Sequence, residues 1–306
     1  MRNEIQPGGL AGARFVDPVV LARVGNLELV ARSVVDGFIN GMHRSPYFGA
    51  SVDFAEHRGY TAGDDIRRVD WKLFGRTDRF YMKEFEADTN ASVIFALDSS
   101  ASMDYGSHGV TKYDYGRFLI ASLAWLSQAQ GDRVGLATFT GDIVDVVPPS
   151  ARHLQLLLHT LGRSKATGAG SLATPVQRLA HMTARAGITV LVTDCYESPE
   201  ELGRCADALR MRGQDLIIFH VVDAAERDFP FTAAATFEDS ESKTRIAVRP
   251  DDLRKRYLEQ AQAHHAAVAK RLVASGADYV RVETDQPLDR ALHAYLDRRL
   301  ARSRVR

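Results

Sequence analysis

The stretch VIFALDSSASMDYG, Val93–Gly106, decides the predicted fold. Its run of apolar residues ends at Asp98, and three small hydroxyl residues follow, Ser99, Ser100 and Ser102. A short apolar run bounded by turn residues predicts a strand that is buried on both faces, as in a parallel sheet. Ligands of an open parallel sheet bind beyond the carboxyl ends of the strands, and Asp98 lies at such an end.

Apolar strands alternate with helices from residue 91 to the end of the chain, which predicts an α/β fold. ITVLVTD and QDLIIFHVVD are two further buried strands, and RVGLATFT and DIVDVVPP are close enough to form an antiparallel hairpin. We therefore expect a mainly parallel sheet with helices on both faces, an antiparallel edge strand, and an irregular insertion near residues 224–248. This domain is predicted to span residues 91–306.

Residues 1–90 are predicted to form a separate N-terminal region. Its helix begins near Asp17, and apolar residues at helical spacing predict one buried face: Leu27, Val30, Ala31, Val34 and Phe38. A segment rich in charged and aromatic residues follows, with two short strands around a polar loop. Charges alternate in sign between residues 58 and 79 around Trp71. This pattern suits a docking surface, but an internal ion-pair network is the preferred interpretation.

The overall composition argues against several function classes. The chain has 39 basic and 39 acidic residues, so its net charge of zero favours neither nucleic acid nor an anionic membrane as a partner. Cys195 and Cys205 form neither a disulfide framework nor a zinc-ligand set. No apolar run has the length of a signal peptide or a membrane span, and a cytoplasmic protein is expected.

Oxygen ligands converge at the ends of two predicted strands. Asp98, Ser100 and Ser102 have the spacing D-x-S-x-S, and Asp194 ends the strand ITVLVTD. Carboxylates and hydroxyls are hard ligands that suit Mg²⁺ or Mn²⁺. The alternative is structural, because serine and aspartate after a strand often cap the next helix. The second acid, Asp194, favours the metal site.

Other chemistries fit the sequence less well. The Asp98 loop lacks the G-x-S-x-G pattern of a serine hydrolase, and no strand is followed by a glycine-rich nucleotide-binding loop. The adjacent residues His264 and His265 lie on a predicted helix, where a solvated face is the preferred interpretation.

The segments FALDSSASM and VLVTD together resemble the von Willebrand factor A fold and its metal-ion-dependent adhesion site. The resemblance extends to a bacterial family known as domain of unknown function 58. Its signature is similar to the segment 45–90 of this chain, and its C-terminal half is similar to FHVVDAAERDFPF, FEDSES and YVRVETDQPLDRALHAYL.

The resemblance implies a specific set of metal ligands. Ser100 and Ser102 would bind the ion directly, and Asp98 and Asp194 would act partly through water. A threonine from a second loop completes the set in von Willebrand A domains, but GAGSLATPV places Gly170 at that position. Ser171 or Thr167 is the nearest replacement. A sixth position would stay open for a carboxylate from a partner protein.

The family's members are often encoded beside MoxR-type AAA+ ATPases. The resemblance therefore implies a non-enzymatic, metal-dependent protein–protein interaction module, an adaptor or co-chaperone working with such an ATPase. Two alternatives remain open. One is a metal-dependent hydrolase that uses Asp98 and Asp194; no His or Glu has an obvious place as its general base beside the Asp98 loop, although Glu197 could reach it. The other is a scaffold with a degenerate metal site, which Gly170 would explain.

Overall fold

The structure, a computed structural model, describes residues 17–44, 57–59, 81–83, 91–183 and 186–303. Its strands are His57–Gly59 (β1), Tyr81–Lys83 (β2), Ser92–Asp98 (β3), Arg133–Phe139 (β4), Ile143–Ser150 (β5), Gly187–Thr193 (β6), Gln214–Val222 (β7), Ala235–Glu238 (β8), Arg245–Val248 (β9) and Asp278–Glu283 (β10). Its helices are Pro18–Leu21 (α1), Leu27–Arg44 (α2), Lys112–Ala129 (α3), Leu154–Arg163 (α4), Ala173–Met182 (α5), Pro199–Met211 (α6), Ala224–Asp228 (α7), Pro250–Ala274 (α8) and Asp289–Ser303 (α9).

The main sheet has six strands in the order β10-β7-β6-β3-β4-β5. All neighbouring strands are parallel except β4 and β5, which form the predicted antiparallel hairpin at one edge. The expected α/β fold with a mainly parallel sheet is therefore confirmed. None of the helices in the described ranges is long and apolar enough to cross a membrane.

Two hydrophobic cores cover the two faces of this sheet. Alternate residues of β3 point to opposite sides, so Val93, Phe95 and Leu97 belong to one core and Ile94 and Ala96 to the other. Helices α2, α3, α4 and α9 supply the first core, and α5, α6 and α8 supply the second. Burial on both faces explains why the strands are almost continuously apolar.

The strand order places a crevice between β3 and β6. The chain runs from β3 to β4 on one side and later returns to β6 on the other side of β3. A reversal of this kind leaves an opening at the carboxyl ends of the two strands, which is where ligands bind in open α/β sheets. Asp98 ends β3 and Asp194 follows β6, so both predicted acids lie at this opening.

The N-terminal helix α2 packs against the α/β domain through its predicted apolar face. Val30, Ala31, Val34 and Phe38 are all buried and belong to the same core as β3 and α3. The charge-alternating segment is different, because its residues 60–80 lie outside the described residues. The choice between a docking surface and an ion-pair network stays a prediction.

Shortening one side chain on α2 tests whether this helix unfolds together with the sheet. Val34 is fully buried, and we expect Val34→Ala to lower the free energy of unfolding by about 1–2 kcal/mol, because two buried methyl groups are lost. Leu29→Ala is the control, since Leu29 on the same helix is 52% exposed. Urea unfolding measures both. An unchanged main transition in Val34→Ala would mean that α2 is an independent unit.

The insertion near residues 224–248 is more regular than expected. It contains the short helix α7 and the antiparallel hairpin β8–β9. Asp223 and Glu226 form a capping box at the start of α7, with the Asp223 side chain accepting a hydrogen bond from Ala225 N at 2.9 Å. The D-x-x-E spacing that forms this box was visible in the sequence.

The prediction of a solvated face for His264 and His265 is wrong. Both are half-buried on the side of α8 that faces the sheet. His264 Nε2 lies 2.9 Å from Cys195 O, and the His265 ring packs edge-on to His220 with 5.0 Å between the ring centroids. Burial, together with Arg281 and His264, lowers the pKa of His265 to about 4. Adjacent helical residues both become buried because the apolar stripe of a helix is about 100° wide or more.

Candidate functional site

Four predicted residues meet at the crevice between β3 and β6, and we call them the Asp98 site: Asp98, Ser100, Ser102 and Asp194. All four are at most 9% exposed. The parallel register pairs Leu97 with Val192. Asp98 therefore lies beside Thr193, and Asp194 follows one residue later.

Asp98 is fixed by hydrogen bonds from both strand ends. Its Oδ1 accepts a bond from Ser100 N at 2.9 Å, and its Oδ2 accepts one from the Thr193 hydroxyl at 2.8 Å. Burial, and next the charge of Asp194, nevertheless raise the pKa of Asp98 to about 6. Among the described residues, no lysine or arginine forms an ion pair with Asp98. The carboxylate is thus buried without a cationic partner in that part of the chain.

The turn after β6 has an unusual backbone conformation. Cys195 has φ of +54°, a left-handed value that residues other than glycine rarely adopt. The buried Cys195 N–H donates to Thr193 Oγ1 at 3.2 Å, which ties this turn to the hydroxyl that binds Asp98. Strained residues of this kind are concentrated at functional sites, where the surrounding structure holds them in place.

The two serine hydroxyls have the spacing of neighbouring ligands on a metal ion. Ser100 Oγ and Ser102 Oγ form a hydrogen bond, with 2.9 Å between the two oxygens. Two adjacent ligands of an octahedral Mg²⁺ at about 2.1 Å would be about 3.0 Å apart. The donor chemistry also fits, since hydroxyls and carboxylates are the oxygen ligands that Mg²⁺ and Mn²⁺ prefer. A divalent ion would in addition supply the positive charge that buried Asp98 needs.

The chemistry of this site depends on the hydroxyls as well as the acids. In the described part of the chain, no three or more His, Cys, Asp or Glu side chains are arranged to hold a metal ion. A site with two hydroxyl ligands and few charged ones binds divalent ions weakly, because affinity rises with the number of charged ligands. Ser100, Ser102 and water would then complete most of the shell.

A buried lysine at the start of α3 lies directly beneath the site. Lys112 is fully buried, and its Nζ donates to Asp194 Oδ2 at 2.9 Å and to Glu226 Oε1 at 2.8 Å. The ammonium group also lies 4.4 Å from the centroid of the Tyr196 ring. Burial alone would lower the pKa of Lys112, but the charges of Asp194 and Glu226 raise it well above its usual value. Lys112 therefore stays charged and fixes the Asp194 carboxylate.

The second loop brings Gly170 against the site, and its two hydroxyl residues lie nearby. A Cβ on Gly170 would lie only 2.7 Å from Ser100 Cβ, so no side chain fits there without movement. Thr167 and Ser171 are exposed. Thr167 N donates to Ser99 O at 2.7 Å, which holds the two loops together through the backbone. The position expected for a threonine ligand therefore has no hydroxyl of its own.

Glu197 joins the second loop to the turn after β6. Its Oε1 accepts a hydrogen bond from Leu172 N at 3.1 Å. Burial, and then the charges of Asp98 and Asp194, raise the pKa of Glu197 to about 7. Sequence analysis predicted that Glu197 could reach the site. The charges of Asp98 and Asp194 both raise its pKa, so Glu197 lies close enough to interact with both carboxylates.

Comparison with known proteins identifies similar sequences and structures. The chain is 27% identical over 289 residues to the uncharacterized proteins Rv1480 of Mycobacterium tuberculosis and Mb1516 of Mycobacterium bovis, and each alignment covers 92% of this chain and 90% of the relative. Among solved structures, BatB from Bacteroides thetaiotaomicron has a TM-score of 0.47 and 16% identity, covering 69% of this chain and 99% of BatB.

A second similar structure is the SpRpn10 VWA domain, with a TM-score of 0.41 and 12% identity, covering 67% of this chain and 94% of that domain. The family described as "Protein of unknown function DUF58" matches residues 56–267. That match spans more than half of the sequence and includes the whole Asp98 site, and the chain therefore belongs to the DUF58 family.

Proposed function

We propose that this chain is a non-enzymatic interaction module that binds a protein partner through a divalent metal ion at the Asp98 site. The observation that carries the proposal is the 2.9 Å separation of the Ser100 and Ser102 hydroxyls beside two buried carboxylates. The location supports it, because the crevice between β3 and β6 is where an open α/β sheet presents a ligand.

The partner would contribute an acidic side chain to the ion. Ser100 and Ser102 would hold the ion directly, and Asp98 and Asp194 would orient water around it. Lys112 already pairs with Asp194, so the site itself offers few charged ligands and leaves room for an external carboxylate. By the family resemblance, the partner is a MoxR-type AAA+ ATPase, for which the chain would act as an adaptor or co-chaperone.

Association with a MoxR-type ATPase tests this proposal. We expect binding in a pull-down to be lost when the metal is chelated, and to fall at least about tenfold in Ser102→Ala and Asp194→Asn, because each removes one of the few oxygen groups around the ion. Asp104→Asn is the matched control, since Asp104 is exposed on the same loop. Association that survives both chelation and these substitutions would contradict metal-dependent binding and favour a scaffold with a degenerate site.

A metal-dependent hydrolase is the second candidate, and Glu197 favours it. A carboxylate whose pKa is about 7 is suited to accept a proton from water at neutral pH. The hydrogen bond from Leu172 N instead suits a structural role for Glu197. A screen with phosphatase and esterase substrates distinguishes the two functions. Metal-dependent turnover that disappears in both Asp98→Ala and Glu197→Gln would establish the enzyme.

A further inference from the structure

Because Gly170 has no side chain, a small space is left beside the Asp98 site, and the side chain of Glu241 extends to this space. A Cβ on Gly170 would lie 3.2 Å from Ser100 Oγ and also 3.2 Å from Glu241 Oε1. The hydroxyl and the carboxylate oxygen therefore both lie close to the space that a side chain at position 170 would fill. Glu241 is far from Ser100 in sequence and belongs to the loop of the β8–β9 hairpin.

The hairpin loop holds Glu241 in a defined position. Asp239 Oδ1 accepts hydrogen bonds from Glu241 N at 2.8 Å and Ser242 N at 3.2 Å. The backbone closes the loop through a bond from Asp239 N to Thr244 O at 2.9 Å. An aspartate that bonds the backbone two residues ahead is a recurrent way to fix a turn. The loop therefore fixes the backbone of Glu241 beside the Asp98 site.

An aromatic cluster fastens the hairpin to the body of the domain. Phe237 on β8 stacks on Phe229 with 5.9 Å between the ring centroids and meets Phe231 edge-on at 5.0 Å. Phe229 is buried and lies 4.7 Å, between ring centroids, from Tyr257 on α8. Aromatic contacts of this kind stabilise the packing beyond simple burial. The β8–β9 hairpin is thus packed firmly against the rest of the domain, next to the Asp98 site.

Glu241 has no ion-pair partner in the part of the chain that the structure describes, although Lys243 lies in the same loop. Glu241 is half-buried, and within the described ranges it forms no ion pair with lysine or arginine. A half-buried carboxylate is more stable beside a cation than alone. Because residue 170 is a glycine, Glu241 Oε1 can lie near Ser100. A larger side chain at position 170 would occupy the space between them.

We propose that Glu241 is an internal metal ligand of the Asp98 site, taking the place of the hydroxyl that position 170 lacks. This inference rests on the proposed metal-dependent function and extends its ligand set to a residue from the insertion. Ser100, Ser102 and Glu241 then supply the direct oxygen ligands, and one position remains for the partner's carboxylate.

Mn²⁺ binding to the purified full chain tests the proposal with two measurements. Electron paramagnetic resonance of free Mn²⁺ gives the dissociation constant, and water-proton relaxation gives the number of exchangeable waters on the bound ion. We expect Glu241→Gln to weaken Mn²⁺ binding about tenfold or more, because a charged ligand is lost. The number of exchangeable waters should rise by one in Glu241→Ala, which has no side-chain oxygen left to coordinate the ion, and a purely structural change in the hairpin would not produce that rise.

The matched control is Glu238→Gln on the same hairpin. Glu238 pairs with Arg245 on the neighbouring strand, with 2.7 Å between Arg245 Nε and Glu238 Oε2, and this variant should bind Mn²⁺ within about twofold of wild type. Wild-type binding that depends on Asp98 but is unchanged in Glu241→Gln and Glu241→Ala, with the same water number in Glu241→Ala, overturns this inference alone. Failure of the wild-type chain to bind Mn²⁺ at all overturns both this inference and the proposed function.

Discussion

Replacing Lys112 with methionine is expected to lower the free energy of unfolding by about 3–5 kcal/mol. The methionine keeps most of the length of the side chain but removes its charge. Asp194 and Glu226, whose oxygens lie 2.9 Å and 2.8 Å from Nζ, would then be left without their buried partner. Removing one member of a buried ion pair costs far more than the pair itself contributes, because the remaining charge is still desolvated.

Urea unfolding at neutral pH measures this loss, with Lys255→Met as the control. Lys255 is 90% exposed on α8, and its replacement should change stability by less than about 0.5 kcal/mol. The double variant Lys112→Met, Asp194→Asn should regain part of the loss, because one uncompensated carboxylate has been removed. If Lys112→Met were as stable as wild type, the buried lysine would have no role in holding Asp194.

The positions of the residues proposed as ligands were predictable because these residues belong to local sequence patterns. An apolar run that ends in D-x-S-x-S identifies a strand end, and a second run ending in Asp194 identifies another. The carboxyl ends of parallel strands lie at the same edge of the sheet, so convergence follows from the fold class alone. The antiparallel hairpin of β4 and β5 was predictable for the same reason, since its two strands are nearly contiguous.

The residues that surround the proposed ligands could not be predicted from local sequence patterns. Lys112 is separated from Asp194 by 82 residues and from Glu226 by 114. A lysine in the first turn of a helix is normally exposed, so its sequence context gives no sign of burial. Glu241 is a similar case, since it lies in a polar insertion that sequence analysis treats as irregular. Long-range packing decides both positions.

Lys112 and Asp98 are expected to have opposite effects on the stability of the folded chain. Lys112 offsets the charge of Asp194 and Glu226, whereas Asp98 remains buried beside Asp194 without an ion-pair partner in the described part of the chain. A buried charge of this kind destabilises the folded chain until a cation binds. The proposed metal site is thus expected to lower the stability of the metal-free chain and to favour cation binding. Functional sites commonly reduce stability in this way.

Asp98→Asn should therefore stabilise the metal-free protein at neutral pH by about 2–3 kcal/mol. The folded chain raises the pKa of Asp98 from 3.8 to about 6. Between these values the folded state holds a proton that the unfolded state has released, so this contribution to stability is fully present below about pH 4 and is lost as the pH rises through about 6. Asparagine cannot ionise and avoids the loss.

The comparison of wild type and Asp98→Asn in chelator, from pH 4 to pH 8, measures this contribution. Glu197 also has a raised pKa, and part of that rise comes from the charge of Asp98, so the difference between the two proteins contains the Asp98 titration together with its effect on Glu197. The difference in unfolding free energy should be small near pH 4 and reach its full size above about pH 7. Asp104→Asn, on the exposed part of the same loop, is the control for the substitution itself. Added Mg²⁺ should then stabilise wild type more than Asp98→Asn, because asparagine lacks the negative charge that attracts the ion. A variant that is less stable than wild type at every pH would show that the hydrogen bonds from Ser100 and Thr193 outweigh the cost of the buried charge.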